Sequence, residues 1–123
     1  MLDAENIFLI GPMGSGKSAV GRQLAERLGL EFVDSDTEIE ERTGVDIPYI
    51  FEREGEAGFR VREREVLDLL MRRDHVLVAT GGGAILDADT RERMRSRGCV
   101  VYLRPSVGQQ VARTRRNRSI PLL

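Results

Sequence analysis

The sequence contains little lysine, few aromatic residues and one cysteine. Lys17 is the only lysine among 19 basic residues, and aromatic residues make up 5% of the 123-residue chain, with no tryptophan. The lone cysteine, Cys99, excludes an intramolecular disulfide, and its place beside the apolar run VVYL predicts a buried side chain. No apolar stretch approaches membrane-spanning length, and the acidic N-terminus is unlike a secretory leader. These absences predict a cytoplasmic protein without a membrane partner.

Charge is unevenly distributed although the net charge is only −1. Residues 31–56 hold ten acidic and two basic residues, whereas residues 91–123 hold nine arginines and one acid. Several of these arginines fall on predicted helical faces without interleaved aromatic residues, so solvated surface is a better interpretation than a nucleic-acid patch. The length and the 41% hydrophobic content predict one globular domain over residues 1–123.

The arrangement of apolar runs predicts an α/β fold. Short runs rich in valine and isoleucine alternate with helical segments, and a longer helix is predicted over residues 58–73. Such runs are typical of parallel strands that are buried on both faces. The predicted strands lie at residues 7–10, 31–33, 76–80 and 100–103.

Two helices have recognisable sequence features. Val20, Leu24 and Leu28 recur at helical spacing, which predicts the inward face of the first helix. Ser35 and Glu38 match a capping box and predict the start of the second. The predicted stops of these helices are two glycines, Gly29 and Gly44.

The segment GPMGSGKS, residues 11–18, matches the phosphate-binding pattern G-x-x-x-x-G-K-S. It stands between a predicted strand and a predicted helix, so glycine N–H groups and the helix N-terminus can face an anion. The only lysine of the chain falls on the motif position that reaches the β- and γ-phosphates, and Ser18 can bind Mg²⁺. The ATP-binding residues predicted here are Gly14, Ser15, Gly16, Lys17, Ser18 and Ala19.

Two further segments follow predicted strands, at the edge of a parallel sheet where ligands bind. In DSD, Asp34 could hold Mg²⁺ and Asp36 could accept a hydroxyl proton, while helix capping is the alternative role for either. In TGGGA, three glycines allow a ligand to approach the backbone closely, although a flexible turn is the alternative. These glycines are Gly81, Gly82 and Gly83.

The segment FEREGEAGFRVRE supplies a candidate acceptor site. Arg60 is a candidate to bind a substrate carboxylate through two parallel hydrogen bonds, and Glu63 could orient the Arg60 side chain. Phe51 and Phe59 could form an apolar wall of the pocket or could equally belong to the core. A solvated helix face is predicted for the other two arginines of the segment, Arg62 and Arg64.

These motifs, in this order, resemble the shikimate kinase family. The resemblance runs from Ile7 through the phosphate loop, DSD, GEAGFRVRE, ATGGGA and VVYL to RTRRNRSIPLL. It implies transfer of a phosphoryl group from Mg·ATP to the 3-hydroxyl of shikimate, in aromatic amino-acid synthesis. It also implies a P-loop NTPase fold like that of the nucleoside monophosphate kinases, with strand order 2-3-1-4-5 and the fifth strand absent from this chain.

The resemblance also implies roles for individual residues. Lys17 and Asp36 would be catalytic, Ser18 and Asp34 would hold Mg²⁺, and Arg113 would lie against the adenine. The residues expected at the shikimate site are Asp36, Arg60, Gly81, Gly82 and Gly83, with Glu63, Phe51 and Phe59 behind them.

The chain departs from the family pattern near its end. Ile120 stands where the lid motif, which begins near residue 117, has an arginine, and Arg118 is a weak candidate to replace it. The match stops inside the lid, so we expect an incomplete domain with weak activity or none. A related kinase, such as one acting on gluconate, and a nucleotide-binding module without turnover remain alternatives. The expected partners are ATP and shikimate, and the expected state is a monomer.

Overall fold

Strands and helices alternate along the chain in the computed structural model, which describes residues 6–11, 16–81, 83 and 87–103. The strands are β1 (Asn6–Ile10), β2 (Glu31–Asp34), β3 (Val76–Ala79) and β4 (Gly98–Tyr102). The helices are α1 (Lys17–Leu28), α2 (Ser35–Thr43), α3 (Ile47–Met71) and α4 (Ala88–Arg97).

The strands form one parallel sheet in the order β2-β3-β1-β4. This order confirms the predicted sequence of the first four strands, and the described residues contain no fifth strand. Leu9 of β1 and Asp34 of β2 both pair with Ala79 of β3. The carboxyl ends of these three strands are therefore level, and the residues that follow them meet at one edge of the sheet.

Helices cover both faces of the sheet. On one face, Leu9 and Leu77 pack with Ala25 of α1. On the other, the adjacent strand residues Phe8 and Val78 belong to a larger cluster formed with α2, α3 and α4. Neighbouring strand residues point to opposite faces, so a strand covered on both sides is apolar throughout. All four residues of β3 are buried for this reason.

Helix α1 packs through small residues instead of its larger apolar ones. Gly21 and Ala25 are buried, whereas Val20 is 40% exposed and Leu28 is 50% exposed. The predicted inward face was therefore wrong for Val20 and Leu28. A Cβ atom on Gly21 would lie only 2.8 Å from a ring carbon of Phe32. The helix lies so close to the sheet that a larger side chain would have to displace its neighbours.

The stops of α1 and α2 are confirmed, but the start of α2 differs from the prediction. Gly29 and Gly44 end the helices in the left-handed conformation, with φ of 70° and 76°. The predicted capping box was wrong, because Asp34 is the N-cap and accepts hydrogen bonds from the backbone N–H groups of Asp36 and Thr37. Ser35 is fully buried in the first turn instead.

Helix α3 begins eleven residues before its predicted start at residue 58. Asp46 caps it by accepting a hydrogen bond of 2.9 Å from the backbone N–H of Tyr49, and Pro48 lies in the first turn. Few residues of its first half are buried, so that half shows no apolar stripe. The helix is also broken internally at Gly55, where φ is 71° and ψ is −178°.

Strand β4 pairs with β1 alone within the described sheet. Its Cys99 is exposed, so the prediction of a buried cysteine was wrong. A strand with one described neighbour and alternating side-chain directions does not bury every apolar residue. Among the described helices, none is long and apolar enough to cross a membrane.

Candidate active site

The start of α1 places the only lysine of the chain above the end of β1. Gly16 precedes the helix with φ of 84°, a left-handed conformation that suits glycine. The Lys17 ammonium donates a hydrogen bond of 2.6 Å to the carbonyl of Gly11. Burial lowers the pKa of Lys17, while the negative charges of Asp36 and Asp34 oppose that change. The lysine thus lies between the predicted phosphate loop and both carboxylates.

The first aspartate of DSD joins α1 to α2. The Ser18 hydroxyl donates a hydrogen bond of 2.9 Å to Oδ2 of Asp34. Oδ1 of Asp34 caps α2, with distances of 2.9 Å and 3.1 Å to the backbone nitrogens of Asp36 and Thr37. Asp34 therefore caps α2 through Oδ1, and its Oδ2 is left facing Ser18.

Ser18 and Asp34 fit a magnesium ion. Their neighbouring oxygens form a small, hard donor set, and Mg²⁺ typically keeps several waters and phosphate oxygens as ligands. Among the described residues, no group of three or more His, Cys, Asp or Glu side chains is arranged to hold a metal.

The second aspartate of DSD faces a buried glutamate. Oδ1 of Asp36 and Oε2 of Glu63 are buried and have no hydrogen-bond partner among the described residues. A Cβ atom on Gly81 would lie 2.7 Å from the first oxygen and 3.0 Å from the second. Burial, followed by the charges of Asp34 and Glu63, raises the pKa of Asp36 to about 6. The site therefore holds a carboxylate whose raised pKa suits it to accept a hydroxyl proton near neutral pH.

A serine that the sequence reasoning missed holds the glycine turn in place. The buried Ser35 hydroxyl accepts a hydrogen bond of 3.0 Å from the backbone N–H of Gly81. This bond ties the start of α2 to the end of β3, and it keeps Asp36 beside the turn. Its position inside the DSD motif was visible in the sequence, but the motif was interpreted only through its aspartates.

Arg60 is held by a buried partner and by the glycine turn. It donates a hydrogen bond of 2.9 Å to Oε1 of Glu63, whose side chain is only 4% exposed. A more distant contact of 3.5 Å joins it to Glu56. A Cβ atom on Gly83 would overlap the guanidinium, so a side chain here would displace the end of Arg60 from its present position. Arg60 itself is 28% exposed and can still reach a ligand.

An open cavity of about 330 Å³ lies beside this arginine. Its volume is within the range of small-molecule sites. The lining includes Arg60, Glu63 and Gly83 from the site, together with Leu67 and Thr90. The arginine can bind a carboxylate there through two parallel hydrogen bonds.

The two phenylalanines of the acceptor segment stack on each other. The ring centroids of Phe51 and Phe59 are 4.8 Å apart with an angle of 30° between the planes. Phe59 is buried and Phe51 is exposed at 38%. The pair therefore divides the two predicted roles, because one ring belongs to the core and the other remains accessible from solvent.

The structure links the predicted site residues through contacts from Ser18 to Asp34 and from Arg60 to Glu63, with Gly81 beside both Asp36 and Glu63. Ala19 is exposed at the start of α1. Arg113, Arg118, Ile120 and the lid from residue 117 lie outside the described residues, as do Gly14, Ser15 and Gly82.

Comparison with known proteins assigns this arrangement to a family. The model of the shikimate kinase family matches residues 13–123. The chain belongs to the shikimate kinase family. The curated shikimate kinase of Buchnera aphidicola is 52% identical over 123 residues, which are 100% of this chain and 71% of that protein. The predicted family, the enzyme class and the fold are thereby confirmed.

Solved structures agree with this family. A shikimate kinase from Acinetobacter baumannii, in complex with shikimate, has a TM-score of 0.85 and 57% identity. That comparison covers 97% of this chain and 66% of the other, so the chain spans about two thirds of the length of this shikimate kinase. A gluconokinase from Sinorhizobium meliloti has a TM-score of 0.58, 20% identity, and coverage of 94% and 66%. The similarity to the gluconokinase concerns the fold alone.

Proposed function

We propose that this shikimate kinase family member transfers the γ-phosphoryl group of Mg·ATP to the 3-hydroxyl of shikimate. The observation that carries the proposal is that the Asp36 carboxylate lies between two candidate anion-binding cations, Lys17 and Arg60. Lys17 lies at the nucleotide side, Arg60 lies at the acceptor side, and Asp36 lies next to both the lysine and the glycine turn.

At the acceptor side, Arg60 would bind the shikimate carboxylate. Its guanidinium is oriented by Glu63 and has its place because Gly83 lacks a side chain. The exposed ring of Phe51 would contact the apolar side of the acceptor ring. A fixed carboxylate and a fixed ring together set the orientation of the hydroxyl to be phosphorylated, which lowers the entropy cost of reaction.

At the transfer step, Asp36 would accept the proton of the attacking hydroxyl through its carboxylate. Its Oδ1 has no hydrogen bond within the described residues but is buried, so the hydroxyl would reach that oxygen only if neighbouring atoms moved. Lys17 would contact the β- and γ-phosphates and reduce the negative charge on the transferring group. Transfer of a phosphoryl group depends mainly on such positioning and charge stabilisation.

Ser18 and Asp34 would hold the magnesium ion through the oxygens described above. When bound, Mg²⁺ would neutralise negative charge that develops on the phosphates during transfer. Gly14, Ser15, Gly16 and Ala19 would surround the phosphates, and Arg113 would contact the adenine. We further propose that residues 1–123 belong to one kinase domain and that the protein is a cytoplasmic monomer.

Acceptor-dependent ADP formation tests the proposed reaction. The intact protein is assayed with Mg·ATP and with shikimate, gluconate or no acceptor. Stimulation by shikimate alone is expected, because Arg60 and Asp36 match a carboxylate and a hydroxyl on one small ring. Stimulation by gluconate would indicate the related small-molecule kinase, and ADP binding without any stimulation would indicate a nucleotide-binding module.

A further inference from the structure

The break in α3 divides the acceptor side of the site between two helical segments. Residues 47–54 carry Phe51, and residues 56–71 carry Arg60. Between them, Gly55 has φ of 71°, in the region that favours glycine. The angle between the segments therefore determines where the exposed ring lies relative to the guanidinium.

An ion pair crosses this break. Glu54 accepts two hydrogen bonds from Arg62, of 2.7 Å to Nε and 2.6 Å to the terminal nitrogen. The two residues are eight positions apart, which corresponds to roughly 12 Å along an unbroken helix. Side chains in a regular helix meet at spacings of three or four. This pair is therefore possible because the chain bends at Gly55.

A second glycine makes room for the pair. The ideal Cβ position on Gly58 overlaps the side chain of Glu54 and lies 3.1 Å from its Oε1 atom. The Glu54 side chain thus lies over the backbone of the second segment on its way to Arg62. The hydrogen bonds and charge of Arg62 also lower the pKa of Glu54, so the carboxylate stays ionised at neutral pH.

We propose that Glu54, Arg62 and Gly58 form a clamp that fixes the angle of the α3 break and thereby positions Phe51 and Arg60 for the acceptor. This inference rests on the proposed function, since it assigns a purpose to the acceptor pocket. The sequence had predicted a solvated face for Arg62, and its side chain is 41% exposed. The geometry, with two hydrogen bonds across a backbone break, distinguishes it from other surface pairs on α3.

The test compares three variants of the intact protein. Arg62→Gln removes the charge of the clamp, and Gly58→Ala displaces Glu54 without changing any charge. Arg72→Gln is the matched control, because Arg72, the C-cap residue of α3, makes a 2.8 Å ion pair with Asp68 far from the break. The measurements are KM for shikimate, KM for ATP, and hydrogen exchange of residues 47–57 by mass spectrometry.

For Arg62→Gln and Gly58→Ala, we expect KM for shikimate to rise about two- to fivefold, the range that exposed ion pairs of good geometry produce. KM for ATP should not change, and hydrogen exchange in residues 47–57 should become faster. The control should match the wild type in all three measurements. An unchanged KM for shikimate together with unchanged exchange would overturn the clamp, as would a parallel rise in KM for ATP.

Failure of the proposed function would look different. It would appear as a wild-type protein without shikimate-dependent turnover. In that case KM for shikimate cannot be measured, and hydrogen exchange alone tests whether the clamp fixes the break in α3. Faster exchange in both clamp variants, and not in the control, would support it, and equal exchange in all proteins would overturn it.

Discussion

Replacing Glu63 by glutamine removes the negative charge of this side chain and keeps its size and shape. Its Oε1 accepts the hydrogen bond of Arg60, and its Oε2 is buried next to Gly81 without a partner among the described residues. The similarly unpartnered Oδ1 of Asp36 lies against the same glycine. Glutamine keeps an oxygen for Arg60 and brings an N–H donor toward the aspartate.

Glu63→Gln should weaken shikimate binding with little net change in the stability of the fold. A neutral partner orients the Arg60 guanidinium less firmly, and a loss of about 1–2 kcal/mol in acceptor binding corresponds to about five- to thirtyfold weaker binding. The weakened hydrogen bond between Arg60 and residue 63 also costs the fold about 1 kcal/mol. The new N–H donor can satisfy Asp36 and removes the repulsion between two carboxylates, which offsets that cost to within about 1 kcal/mol, or about 4 °C in Tm for a chain of this size.

Calorimetric titration with shikimate and thermal denaturation measure these two effects. The matched control is Glu65→Gln, an exposed position two residues further along α3. The control should leave both affinity and Tm near the wild-type values. Wild-type affinity in Glu63→Gln, or a change in Tm well beyond about 4 °C, would refute the reasoning about the buried pair.

Three further predictions concern the acceptor pocket, the metal and the base. Gly83→Ala places a methyl group on the guanidinium of Arg60, so KM for shikimate should rise about tenfold or more while KM for ATP is unchanged; a parallel rise in both constants in steady-state assays would contradict this. Asp34→Asn keeps a helix-capping side chain but loses its charge, so the half-saturating Mg²⁺ concentration should rise about tenfold in a magnesium titration, and an unchanged titration would remove Asp34 from the metal site. Because burial raises the pKa of Asp36 to about 6 and proton acceptance requires the carboxylate, kcat/KM should fall about tenfold per unit below pH 6, whereas a flat profile would argue against this base.

Much of the fold was predictable because it depends on local patterns. The apolar runs and glycine stops specified the strands and the ends of α1 and α2. The inward face of α1 was not predictable, because apolar periodicity does not reveal how closely a helix approaches its sheet. Gly21 faces the sheet through close contact, and Val20 stays outside. The early start of α3 was missed because its first half is mainly exposed.

The site was predictable where residue chemistry is distinctive and less so where geometry decides. Arg60 and Glu63 are three residues apart on a helix, a spacing that predicts their contact. The bond from Gly81 to Ser35 joins residues 46 positions apart, and no local pattern indicates it. The contact of Glu54 with Arg62 also depends on a break whose direction the sequence does not specify.

The central claim is that this chain directs the γ-phosphoryl group of ATP to shikimate. Phosphorus NMR of the intact protein with Mg·ATP and shikimate identifies the product directly. A new phosphomonoester on the 3-oxygen of shikimate, absent with Asp36→Asn, is the predicted result. Release of inorganic phosphate alone, or a phosphomonoester at another hydroxyl, would contradict the proposed arrangement of Asp36 and Arg60.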